Sequence, residues 1–107
     1  RVELADAKVQ AMRGSVSAAR RLSAFYAITH RPSDAIRWMT VAMENGDLDA
    51  RFDLALQLSN APDQLNRTRA RFWFDKIVAE GDADNVEKAK YGIQNLDEIE
   101  AYRKAHP

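Results

Sequence analysis

The chain has 107 residues, one domain's worth of sequence, and its 46% hydrophobic and 30% charged residues exclude both a disordered tail and a membrane span. Lys plus Arg and Asp plus Glu each number 16, and the resulting net charge of zero argues against a dedicated nucleic-acid binder. There is no cysteine and there are only two histidines, His30 and His106, so disulfide frameworks, thiol nucleophiles, zinc knuckles and most general-base chemistry are excluded.

Glycine and proline are scarce, four and three, and the apolar residues follow helical spacing along nearly the whole length. Leu4, Ala7 and Ala11 predict a short opening helix. Between Ser15 and Thr29, Ala18, Ala19, Leu22, Phe25 and Tyr26 fall on one stripe. Between Asp34 and Asn45 the stripe is Ala35, Trp38, Met39, Ala42 and Met43. Leu54, Ala55 and Leu58 mark the next helix, and Ala70, Trp73, Phe74 and Ile77 the one after it. Val86, Ala89, Ile93, Leu96 and Ile99 mark a last one. The fold class is all-α. No stretch approaches the roughly 18 apolar residues that a membrane helix needs.

The breaks between these stripes have helix-end chemistry. Pro32-Ser33-Asp34 supplies a breaker and then N-cap candidates, and Asn60-Ala61-Pro62-Asp63 does the same. Gly46-Asp47 and Gly81-Asp82 each place a glycine, suited to a left-handed helix end, directly before an N-cap residue. The helices are therefore expected to form hairpins with short connections.

These hairpins recur. Ala35, Trp38, Gly46, Asp47 and Asp49 have identical counterparts 35 residues later at Ala70, Trp73, Gly81, Asp82 and Asp84. Gly14, Ala18 and Leu22 stand 32 residues before Gly46, Ala50 and Leu54. A period in the thirties with two helices per unit predicts a helical solenoid. The expected division is a cap helix over 1–13, repeats over 14–46 and 47–81, and a partial repeat or C-terminal cap helix over 82–107.

The pattern Ala18-x-x-x-Leu22-Ser23-x-x-Tyr26, then Asp34-Ala35-x-x-Trp38-x-x-x-Ala42-x-x-x-Gly46, resembles the Sel-one-like repeat, a relative of the tetratricopeptide repeat. The second unit runs Ala50-x-x-x-Leu54-Ala55-x-x-Leu58, then Arg69-Ala70-x-x-Trp73, ending at Gly81. Ser23 and Ala55 stand where the family usually has glycine, and Leu58 where it has tyrosine. The resemblance implies a curved slab whose concave wall is lined by the first helix of each pair. It also implies an adaptor or scaffold that binds other proteins, with many relatives in bacterial envelope and host-contact systems.

Individual residues favour structural roles over chemical ones. Trp38 and Trp73, equivalent in the repeat, are expected to be core. Asp47-x-Asp49 and Asp82-x-Asp84 lack the further oxygen ligands of a calcium loop and are expected to cap helices. His30 lies in a loop with no ligand at metal spacing, and no glycine-rich phosphate cradle exists. Charge falls in blocks, +4 over residues 1–40, −4 over 41–66, +3 over 67–79 and −3 over the remainder. Such blocks either steer a charged partner or attract neighbouring hairpins to one another.

The function expected is a non-catalytic protein–protein interaction module with no cofactor and no metal. Its partner is expected to be a protein or peptide and not nucleic acid, and the chain is not expected to span a membrane. The alternative is an immunity or inhibitor protein that blocks a toxin or effector enzyme, and a third class is an all-α enzyme or ligand pocket. If Leu22 and Leu54 face the core, Arg20, Ala24 and Ala27 in one repeat lie round the helix toward the concave wall. Asp49, Phe52, Leu56 and Ser59 do so in the next, which makes these seven the expected partner-binding residues. Phe52 and Leu56 are either an apolar anchor site or covered by neighbouring first helices. The chain opens on Arg1, not methionine, which is read as a processed or partial chain, and a removed leader would place it in a bacterial envelope.

Overall fold

Three of the helix ends share one device, a residue with positive φ that lets the chain turn back while the last carbonyls keep their donors. Gly14 and Gly46, 32 residues apart in the repeat, have φ of 106° and 108°, and His30 has φ of 60°. The amide after each donates to the carbonyl five residues earlier: Ser15 to Gln10, Arg31 to Tyr26 and Asp47 to Ala42. This is the Schellman arrangement, and glycine holds the left-handed position without a Cβ penalty. In a computed structural model of the chain, which describes residues 2–107, these turns separate six helices: α1 (Val2–Met12), α2 (Val16–Ile28), α3 (Pro32–Glu44), α4 (Ala50–Ser59), α5 (Gln64–Glu80) and α6 (Ala83–Ala105). Arg1, counted in the first charge block, lies outside the described residues.

The caps follow the expected chemistry at α5 and α6 and depart from it at α3 and α4, and Ser15 adds a further cap at α2. Ser15, Asp63 and Asp82 accept from the backbone N–H three residues on, at Ala18, Asn66 and Asn85, with distances of 2.9–3.1 Å. Ser33 and Asp34, expected as caps, lie inside α3, because Pro32 itself takes the first helical position. A proline there sacrifices no bond, since its missing N–H would have had no partner in the helix. Asp34 instead pairs with Arg31 at 2.8 Å. Asp47 and Asp49 do not cap α4 either. Asp47 accepts from the Asp49 amide in the turn before the helix, and Asp49 makes no side-chain cap bond. Gly81 also differs from its repeat partner Gly46: its φ is −82°, so it needs no left-handed freedom. A Cβ there would meet the Ile77 carbonyl oxygen at 2.7 Å, so Gly81 serves close approach.

Each helix packs on the one before it, and the tightest pairs are α2 with α3 and α4 with α5. α6 also reaches back to α4, and α1 to α3. The chain measures 48 × 32 × 17 Å, with a radius of gyration of 14.8 Å against about 13 Å for a spherical domain of this length. A thickness of 17 Å is about that of two helix layers, whose axes sit about 8–10 Å apart. Alanines at 11, 18, 19, 42, 50, 55, 70 and 89 are fully buried, and their small side chains permit that spacing. Between them Leu22, Leu54, Leu58, Phe74 and Leu96 fill the core.

The aromatic residues separate where the sequence treats them alike. Trp38 is 7% exposed and belongs to the core, but Trp73, its repeat equivalent, is only partly buried beside it. The next residue, Phe74, takes the fully buried position in α5. Phe25, which the spacing puts on the apolar stripe of α2, is 44% exposed, and Phe72 of α5 is 56% exposed. They sit edge-on to the adjacent Tyr26 and Trp73 rings, at 5.2 and 5.1 Å between centroids. Gly92 explains why Phe74 has priority. A Cβ on Gly92 would collide with Cζ, Cε1 and Cε2 of the Phe74 ring, the last at 2.7 Å, so α6 seats directly on that ring.

Polar bridges then lock the helices to one another, both neighbours in the chain and helices two apart. The Asn45 side chain donates to the carbonyls of Ala11 and Ser15, joining α3 to the α1–α2 turn. The Ser23 hydroxyl, fully buried in α2, donates to the Ala35 carbonyl at 2.7 Å and accepts from Gln57 of α4 at 3.0 Å. Charge blocks pair in chain order. Arg20 binds Asp47 and Asp53 at 2.5 and 2.8 Å, linking the first block to the second. Arg71 binds Asp97 at 2.5 Å and Glu100 at 3.4 Å, linking the third to the fourth. Arg51 joins Glu80 at 2.9 Å and thereby ties α4 to the end of α5.

Candidate partner-binding surface

α4 lies between α2 and α6 and turns a different edge to each. Asp53 and Gln57 face α2, through Arg20 and Ser23. Phe52 and Leu56, about 100° away round the helix, face α6. They form one side of a groove of about 500 Å³, whose other side is Lys88, Tyr91, Gly92, Gln94, Asn95 and Glu98. Phe52 is half-buried, its ring 6.1 Å from that of Phe74, and the Lys88 ammonium sits 5.8 Å from its centroid. Leu56 and Tyr91 are 38% and 69% exposed and leave the groove mouth apolar.

The seven expected residues do not form one wall. Ala24 and Ala27 are exposed on α2, but the edge of α4 that faces α2 carries Asp53 and Gln57, not Phe52 and Leu56. Arg20 is held by its two carboxylates. Asp49 is exposed and accepts from the Asn85 amide of α6 at 3.4 Å. Ser59 is buried, with its hydroxyl turned back to donate to the Leu56 carbonyl at 2.8 Å. Phe52 and Leu56 remain together, and what meets them comes from α6. Tyr91 and Gly92 went unremarked in the sequence. The available signal was a glycine inside an otherwise uninterrupted helical pattern, which marks a close approach.

A second cleft, of about 1100 Å³, separates α1 from α2 and is rimmed by Glu3, Asp6, Gln10 and Arg21. Phe25 is its one large exposed apolar residue, and polar groups make up a larger share of its lining than in the α4–α6 groove.

Outside the two clefts, the strongest electrostatic effects are those of ion pairs. The Arg20 guanidinium is pushed up by its bonds to Asp47 and then Asp53, against partial burial. Arg71 is pushed up chiefly by Asp97. Glu80 is held below the usual carboxylate range, first by the Arg51 hydrogen bond and then by the Lys76 charge. Each of these shifts favours the charged form, the opposite of what a proton-transferring group near neutral pH needs. Among the described residues, no three His, Asp or Glu side chains gather as metal ligands. Among the described residues no helix is long and apolar enough to cross a membrane. His30 occupies the left-handed turn, and His106 stacks on Tyr102 at 4.1 Å.

Comparison with protein families, curated proteins and solved structures finds no match to this chain.

Proposed function

We propose that the protein is a non-catalytic binding module, a short solenoid of two helical hairpins, α2–α3 and α4–α5, closed by α1 and α6. It takes an apolar side chain of a partner protein or peptide into the groove between α4 and α6. The hairpin reading is supported by equivalent environments at repeat-related positions: Ala18 and Ala50, Leu22 and Leu54, and Ala35 and Ala70 are all no more than 2% exposed. Gly14 and Gly46 share the same turn. The observation that carries the binding site is the exposed apolar pair Leu56 and Tyr91, flanking the half-buried Phe52 at the mouth of the groove. An aromatic or aliphatic anchor entering such a groove is the usual centre of a binding hot spot.

The test replaces Leu56 and Tyr91 together with aspartate. Both are exposed, so each change should alter folding stability by no more than about 0.5 kcal/mol. Phe52 is spared because of its contact with Phe74. Partner capture by the wild type and its loss by the double variant, at unchanged helicity and melting temperature, are the expected results. Undiminished capture of the same partner by the folded variant refutes the site.

A further inference from the structure

Arg67 on α5 is an arginine without a counterion. It is 6% exposed, and among the described residues no carboxylate pairs with it. A guanidinium offers five N–H donors. Here Nη1 donates to the Pro62 carbonyl at 2.6 Å, while the buried Nε has no acceptor at all. A buried charge left unpaired is costly, and a fold retains one only where something compensates it. The C-terminal end of α4 contributes at most about half a unit of negative charge. Among the described residues no carboxylate supplies the rest through an ion pair.

Arg67 borders a cleft of about 630 Å³ between the α4–α5 turn and the last turns of α6. The same cleft is lined by Asn60, Glu98, Tyr102, Arg103 and His106. Tyr102 and His106, stacked 4.1 Å apart, form a flat wall, and Asn60 supplies an amide donor. We propose that this cleft binds the carboxylate of an acidic side chain on a partner protein. The charge count selects that ligand. With the histidine neutral, Arg67 and Arg103 against Glu98 leave one positive charge, which one carboxylate balances. A doubly charged phosphate would overshoot and crowd Glu98. Guanidinium and carboxylate also match as planar, bidentate partners. The proposal is independent of the Leu56–Tyr91 groove, so either can fail without the other.

The experiment follows the Arg67 Nε–H resonance directly in nitrogen-15-labelled full chain. The probes are N-acetyl-glutamate N-methylamide, its neutral glutamine analogue and inorganic phosphate, compared at constant ionic strength. The glutamate probe should shift the Arg67 Nε–H and the Asn60 side-chain amide along one saturable curve, and the glutamine probe should not. Arg103→Gln, on the exposed rim, should weaken that curve about three-fold, the worth of one exposed charge pair. Arg67→Met should abolish the Asn60 shift if the variant folds. If it does not fold, the wild-type and Arg103→Gln curves still decide. Equal response to the glutamine probe, tighter binding of phosphate, or no response at Arg67 each overturns the proposal. In the last case Arg67 is only a fastening for the α4–α5 turn.

Discussion

Replacing Gly92 with alanine sets two effects of opposite sign against each other. In a solvent-facing helix, Gly→Ala stabilises by about 1 kcal/mol, because glycine is the poorer helix former. At Gly92 the new methyl would overlap three atoms of the Phe74 ring, Cε1 at 2.6 Å and Cε2 at 2.7 Å, well inside ordinary van der Waals contact. Phe74 is fully buried, so the ring has no free direction in which to yield. Overpacking of this kind costs about 1–3 kcal/mol, and occasionally more, when α6 is displaced. The net expectation is a loss of about 0–2 kcal/mol, the overpacking term at least cancelling the gain in propensity. Urea denaturation followed by circular dichroism measures it. Phe74→Leu shortens the obstructing side chain, so Gly92→Ala should cost less in that background than in the wild type, and the double-mutant cycle measures the coupling. A Gly92→Ala protein more stable than wild type by about 1 kcal/mol would show that only propensity acts there, and that α6 does not seat on Phe74.

Three further expectations test the rest of the fold. Trp38→Ala should cost about 3–5 kcal/mol, whereas Trp73→Ala, at the same repeat position but only partly buried, should cost clearly less in the same denaturation assay. Glu80 titrates lower in the folded chain than the ordinary glutamate value of about 4.3, so its contribution is present above that pH and is lost as pH falls through the folded value. Arg51→Met should therefore flatten the acid side of the stability–pH curve, and an unchanged slope would remove the Arg51–Glu80 pair from the account. Ending the chain after Gly81 removes α6 and uncovers Phe74 and Phe52. Aggregation or loss of cooperative unfolding is expected, and a soluble truncation with the wild-type melting temperature would show that α6 is not a cap.

Helical class, element order and most turns were legible from residue order alone, because they depend on local chemistry. The period of the apolar stripes locates the helices, and Ser15, Asp63 and Asp82 cap them through backbone donors only three residues away. The left-handed turns at Gly14 and Gly46 are equally local. Of the two roles that the charge blocks leave open, Arg20 and Arg71 take the internal one, Arg20 joining α2 to Asp47 and to α4, and Arg71 joining α5 to α6. What repetition could not reveal is where equivalent residues diverge. Trp38 and Trp73 share a repeat position, as do Gly46 and Gly81, yet their burial and backbone conformations differ. The second hairpin meets α6, and Phe74 rather than Trp73 is the ring on which Gly92 lets it rest. The candidate surface was half legible for the same reason. Phe52 and Leu56 were visible as outward apolar residues of one helix, but their groove partners Tyr91 and Gly92 lie 35 or more positions away. Helical periodicity determines which faces of a helix are apolar, and only tertiary packing decides which neighbour covers each face and which is left open.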